Sequence, residues 1–321
     1  MLRLFQSTGG WAAIFLLSCS ALFADVTLRY KTEIKMNPTL SPQLAEMATK
    51  GMGGFVPSES SLLFKGGKTY SSQGAITSIA DFNKQEIVLL DSAGRRYSTL
   101  PLNQLADEFA KGMPAMPPEA RAAMSSIKTA VESKSTGRSA EIQGVQTEEK
   151  EVVLTMEGPA MPNMPAGPLM RMVMQIWTPK SGEAMRVPAI REISGYNLAS
   201  LAMMNPGAAM EKMLQQMPGS SDFGNFVKEM RNFGVILRMH SNVYMPGIAA
   251  MMKAMPAGDS PFGAGFDADA PFIQIQMEVA ELSTTPIADS LFAVPEEYKS
   301  APVADLVKDM LMKSRAPTAA K

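Results

Sequence analysis

Residues 26–36 alternate apolar and polar side chains, with Val26, Leu28, Tyr30, Ile34 and Met36 falling on one parity. A period of two places alternate side chains on the same face of an extended chain, so this segment predicts a strand with one face buried. Asn37-Pro38 ends it, since proline supplies no N–H to a ladder and restricts the residue before it. Residues 37–59 read as a loop or short helix carrying Leu44, Met47 and Met52, broken by Gly51, Gly53 and Gly54. Strand-like segments follow at 61–64, at 68–71 after Gly66-Gly67, at 76–81 and at 85–90. Asp91-Ser-Ala-Gly94 reads as a hairpin turn into a strand over 95–100. The first hundred residues therefore predict an antiparallel meander.

The period then changes. Leu102, Leu105 and Phe109 fall at helical spacing and Gly112 is a plausible stop, which predicts a helix over 101–112 and, after a Pro-Met-Pro spacer, a second over 119–132. Strand period returns at 144–148, 151–156 and 170–177. Residues 187–232 are mostly helical in pattern, broken by Pro206, Gly207, Pro218 and Gly219. Strands resume at 235–244 and 272–279, and a short amphipathic helix over 303–312 closes the domain, leaving 313–321 as a flexible tail. No repeat of 20 to 50 residues is present, which disfavours solenoids and propellers. The fold expected from these patterns is mainly β, a single curved antiparallel sheet over 25–312 with helices lying against one face.

The N-terminus changes the cellular picture. Arg3, an apolar run over 11–17 and small residues up to Ala24 have the form of a signal peptide over 1–24. The run is too short to span about 30 Å of hydrocarbon, and no later stretch could span it either. Cutting after Ala24 releases a periplasmic or secreted protein. Alternatively, Leu16-Leu17-Ser18-Cys19 is similar to a bacterial lipobox and would leave Cys19 lipidated on an outer-membrane lipoprotein. The second Leu fits that pattern imperfectly, so release is the preferred expectation.

Composition removes most catalytic chemistry. The chain has one cysteine, Cys19, and one histidine, His240, so past the leader it offers no Cys/His pair, no zinc cluster and no disulfide framework. With 30 basic and 31 acidic residues it carries no global field toward nucleic acid. No Gly-x-Ser-x-Gly is present, and Gly263-Ala-Gly265 neither follows a strand nor opens a helix. Glu148-Glu149-Lys150-Glu151 reads as a solvated hairpin turn, Asp267-Ala-Asp269 as a surface loop, and His240 as a structural hydrogen-bonding group in a strand. No enzyme, cofactor or metal site is expected.

Three segments carry a family resemblance: residues 79–100, from Ile79-Ala-Asp-Phe through Asp91-Ser-Ala-Gly-Arg-Arg-Tyr-Ser-Thr-Leu100; Gln175-Ile-Trp-Thr-Pro179; and Leu291-Phe-Ala-Val-Pro-Glu-Glu-Tyr-Lys299. Together they resemble an exported bacterial family whose fold is similar to that of the lipoprotein-localisation factors. The resemblance implies a half-open antiparallel barrel of roughly eleven strands with helices on its concave apolar side. It covers residues 25–110 and 140–310 by pattern, and carries over no functional residue. The chain departs from the pattern in Met/Pro/Gly/Ala-rich insertions at 111–138, 158–169, 200–225 and 245–270.

Methionine is the remaining chemical signal, with 28 in the chain. Thioethers are flexible and polarizable, which suits an apolar surface that adapts to varied acyl chains, and they are also soft ligands for Cu(I). The plain alternative is that methionine replaces leucine as core filler. The function expected is a non-enzymatic cell-envelope protein that binds a lipid, a lipoprotein acyl chain or another hydrophobic ligand in a concave pocket lined by Met210, Met213, Met217, Trp177, Met172 and Met174. The alternatives are a structural or interaction module with a self-filled core, and a Cu(I)-handling protein.

Overall fold

A computed structural model describes residues 25–41, 57–73, 76–105, 126–158, 167–203, 233–247 and 270–306, with 45–46, 107–108, 267 and 308–309; side chains of the helix at 188–203 are described up to Tyr196. The expected leader with Cys19, the tail at 313–321 and Met210, Met213 and Met217 lie outside the described residues. The protein is mainly β, built on one large, open, curved sheet of twelve strands.

The first strand, β1 (Val26–Met36), has the bounds its alternation predicts. It is followed by β2 (Glu59–Lys65), β3 (Lys68–Gln73), β4 (Ile76–Asp81), β5 (Glu86–Asp91) and β6 (Arg96–Pro101), each antiparallel to the one before. A second meander consists of β7 (Lys128–Ile142), β8 (Val145–Gly158), β9 (Gly167–Pro179), β10 (Arg238–Tyr244) and β11 (Ile273–Ser283). The two are joined where β11 pairs antiparallel with β1, so the N-terminal strand sits near the middle of the sheet. The short β12 (Lys299–Ser300) adds to β6 in parallel and makes the twelfth strand.

Turn chemistry sets the hairpins. Lys65 pairs with Lys68 across Gly66-Gly67, both with positive φ, and Ile142 pairs with Val145 across Gln143-Gly144, also both positive. These are two-residue loops whose backbone twist matches that of the flanking strands. The Asp91 turn forms as expected, with Asp91 Oδ1 accepting the Gly94 N–H at 3.0 Å.

One face of the sheet, here the core face, carries Val26, Leu28 and Tyr30 of β1, Phe64 of β2, Ile87 and Leu89 of β5, Leu100 of β6 and Val279 of β11. Against it packs a helix, α2 (Pro188–Met203), through Ala189, Ile190, Ile193 and Tyr196. Proline at its first position costs no hydrogen bond, because the first N–H groups of a helix have no partner within it. A single helical turn, α1 (Glu183–Arg186), precedes it, and Tyr196 lies between the rings of Phe64 and Phe82 at centroid distances of 5.1 and 6.0 Å.

Two sequence expectations are corrected. Residues 128–132 are not the end of a helix but the start of β7: Val131 pairs opposite Leu154, and this long-range pairing overrides local helical spacing. Glu148–Glu151 is not a turn but the middle of the continuous β8, facing β7 and β9 on either side. The expected helix over 101–112 shows among the described residues as a 3-10 turn, Leu102–Gln104, that buries Leu102, followed by helical residues 105, 107 and 108.

Leu28, at 1 % exposed in the central strand, gives a direct check. Leu28→Ala is expected to lower unfolding free energy by about 2–5 kcal/mol. Lys31→Ala, exposed on the same strand, should change it by no more than about 0.5 kcal/mol in a denaturant titration.

Candidate functional site

Side-chain alternation along β9 separates the residues that sequence reasoning grouped. Met172 and Met174 share a parity with Ile176, whereas Trp177 has the opposite parity, lies beside Arg238 and is itself buried in the cluster that holds Val26, Leu28 and α2. Met174 is 3 % exposed among Val152, Ile176 and Phe233, while Met172 is half-buried and also touches the group formed by Leu40, Val243, Phe272 and Ile273. Met36, Met170 and Met245, each half-buried, pack on that same group, and Met239 packs beside Met174. A methionine strip therefore runs over the core face of β1, β9 and β10.

The strip lies at the end of the sheet where Met36 pairs with Ile273, Ile273 with Val243, and Val243 with Met172. The other end, near Val26, Trp177 and Val279, holds α2. Three connections leave and re-enter the sheet at the strip end, namely those after Met36, after Gly158 and after Tyr244. In sequence they carry Met47 and Met52, Met161 and Met164, and Met251, Met252 and Met255. Met36 and Met239 are members that sequence reasoning missed; the period-two pattern of their own strands was the signal.

The parity of β7–β11 that holds Trp177 combines buried Ile142 and Val145 with a row of charges. One cross-strand row reads Glu149, Trp177, Arg238, Glu278 and Lys31 over β8, β9, β10, β11 and β1. Arg238 lies over the Trp177 ring at 5.6 Å and its Nη2 donates to Glu278 Oε1 at 2.7 Å. His240 stands edge-on to Trp177 with centroids 5.0 Å apart. Burial, and secondarily Arg238, push the imidazole below its ordinary pKa, so the folded protein holds it neutral.

Glu149 is the least expected member. Its carboxylate is fully enclosed, with Oε1 accepting from Arg138 Nη2, while Oε2 has no hydrogen-bond partner among the described residues. Arg138 reaches it from a bulge in β7, where residues between Ser135 and Ser139 oppose a single position of β8 and Gly137 takes φ +75°. Bulges bend a strand and raise its twist, and here the buried parity of β8 changes, from Val145, Thr147 and Glu149 to Val152 and Leu154. A run of charges that looked like a solvated turn is thus partly interior.

Among the described residues, no group of three or more His, Cys, Asp or Glu side chains could hold a metal ion, and no helix is long and apolar enough to cross a membrane. A small cleft of about 110 Å³ lies on the opposite face of β3–β5 beside Phe292, lined by Lys68, Ile79, Asp81, Lys84, Glu86 and Val88 and by no methionine. Neither family models nor curated proteins match this chain.

Two outcomes test this site. Arg138→Ala leaves the Glu149 carboxylate buried without its cation and is expected to cost about 3 kcal/mol, the low end for breaking a buried pair because Arg138 is itself half in solvent. Arg138→Met combined with Glu149→Leu should recover most of that loss in thermal unfolding. For His240, the unfolded chain binds a proton near pH 6.5 and the fold does not, so stability is full above that pH and falls as pH drops through it. His240→Gln should flatten that part of the stability profile, followed by Trp177 fluorescence.

Proposed function

We propose that this is a non-enzymatic, exported cell-envelope protein that shelters a hydrophobic ligand, a lipid or lipoprotein acyl chain, against the core face of a half-open barrel whose helices lie on the concave side. The observation that carries this reading is the placement of half-buried Met36, Met170, Met172 and Met245 at one end of the sheet, where three methionine-bearing connections leave and re-enter. Unbranched thioethers repack around chains of varied length and unsaturation at low cost, which branched core residues do not. The leader pattern over 1–24 and the resemblance to the lipoprotein-localisation factors support export and the same ligand class. Release after Ala24 remains the preferred processing, with lipidation at Cys19 the alternative.

A second reading, a structural or interaction module whose core is filled by its own residues, is favoured by Met174, already enclosed at 3 % exposure. Titration with a fluorescent fatty acid separates the two. Binding is expected for the intact protein, and Met36→Gln with Met172→Gln should weaken it by tenfold or more, since each buried amide without a partner costs about 1–3 kcal/mol. Met185→Gln, at an exposed side chain of α1, should leave it unchanged. Absence of any binding to the intact protein refutes the carrier reading in favour of the self-filled module.

A further inference from the structure

The face of β2–β6 opposite α2 is apolar. Leu63, Tyr70, Ile79, Val88, Leu90 and Tyr97 line it, and an open antiparallel sheet would ordinarily turn polar side chains to water there. The cover comes from the other half of the molecule. After β11 the chain crosses this face with Ile287, Phe292, Val294 and Tyr298, then lays β12 along the free edge of β6 and delivers Leu306 into the core on the far side.

This cover is thinly attached. Among residues 284–306 only Ile287, Phe292 and Leu306 are buried, and β12 pairs through two exposed residues. Its polar ties fall at two points. At one, Asp25 Oδ2 accepts the Ile287 N–H at 2.7 Å and pairs with Lys65 at 3.4 Å, and Lys65 pairs with Asp289 at 2.9 Å. At the other, Lys299 and Ala301 donate backbone N–H groups to the carbonyls of Arg95 and Tyr97 at 2.9 and 2.8 Å. Beside them Arg96 Nη2 bridges Asp91 and Asp309, each at 2.6 Å. Between the two points the chain is held by the Phe292 side chain and its half-buried neighbours.

We propose that residues 284–301 form a removable strap, latched just beyond its end by the Arg96–Asp309 bridge, that opens as a unit while Leu306 stays in the core and the twelve-stranded sheet otherwise stays folded. Opening bares a groove of Leu63, Ile79 and Leu90 together with the edge of β6. That groove fits an extended peptide with apolar side chains at the spacing of Ile287, Phe292, Val294 and Tyr298, and its resident occupant is this chain's own segment. A segment with few buried contacts and exposed backbone bonds belongs to the low-stability end of local opening, and a bared edge with an apolar groove is the surface that strand-adding peptides use. The inference does not depend on the ligand reading, which concerns the other face of the sheet.

Hydrogen exchange resolved by mass on the full chain tests it. The amides of Lys299 and Ala301 are expected to exchange at least about tenfold faster than those of β1 and β11, and Phe292→Ala should speed them by about tenfold more while β1 and β11 keep their rates. A synthetic peptide of residues 286–300, added to Phe292→Ala, should slow exchange along β6. Where Phe292→Ala does not fold, Asp309→Asn, which removes only the latch at a half-exposed carboxylate, serves as the opened variant. Exchange of the Lys299 and Ala301 amides in step with β1 in the unaltered protein, or failure of the peptide to protect β6 in an opened variant, overturns the proposal.

Discussion

The pairing of β1 with β11 is the constraint on which the rest of the structure depends. It joins two meanders that are otherwise separate local structures, and it runs over ten residue pairs from Thr27–Ser283 to Met36–Ile273. Without it each half would present a long unpaired edge of N–H and C=O groups at its centre, a surface that associates with other chains. Its partners are some 240 residues apart, so this ladder closes a very long loop whose entropy must be offset by burial. Val26 and Leu28, at 0 and 1 % exposed, supply that burial where β1, β11 and α2 meet. The single bulge at Arg29–Tyr30 lets the ladder bend there, and the Tyr30 hydroxyl, donating to the Ile236 carbonyl at 2.9 Å, ties the bend to the chain entering β10.

From this central join the two halves treat their faces differently. Both turn apolar residues to the core face, but beyond it the β2–β6 half is covered by the chain that follows β11, and the β7–β11 half is finished with charges and amides. The difference follows from connectivity. β11 ends at the same end of the sheet as the start of β1, beside Asp25 and Lys65, so the shortest onward path for the chain crosses β2–β6. In the β7–β11 half, Arg238 pairs with Glu278 across neighbouring strands and lies over Trp177, while Glu149 is enclosed and paired with Arg138 of β7.

The proposed ligand face and the polar row are the two sides of the same strands, β9 and β10. A one-residue shift in register would exchange them, placing Met172 and Met174 with the charges and Trp177 with the thioethers. At the sheet edge the Arg138–Glu149 pair and the β7 bulge fix the register of β7 on β8, since the bulge lies opposite one position of β8.

Much of the strand content was legible in the sequence because a strand with one buried face writes its period locally. The bounds of β1 follow from its alternation and the Asn37-Pro38 stop, those of β4 from a strand-like segment between turn signals, and the Gly66-Gly67 and Asp91–Gly94 turns from residues that tolerate their backbone angles. Whether a short charged run such as 148–151 lies in water or in the interior is not a local property: the same residues are a turn when alone and a ladder between β7 and β9 when both neighbours arrive. Spacing along β9 already gives Trp177 and Met174, three positions apart, opposite parity, but it does not tell which strands lie beside them. The sequence by itself determined where the chain extends and turns, because those choices rest on side chains within a few residues. Only the tertiary structure decided which face is buried, which charges are interior and which methionines share a surface, because those depend on partners in other strands, from Arg138 beside Glu149 to Ile273 beside Met36.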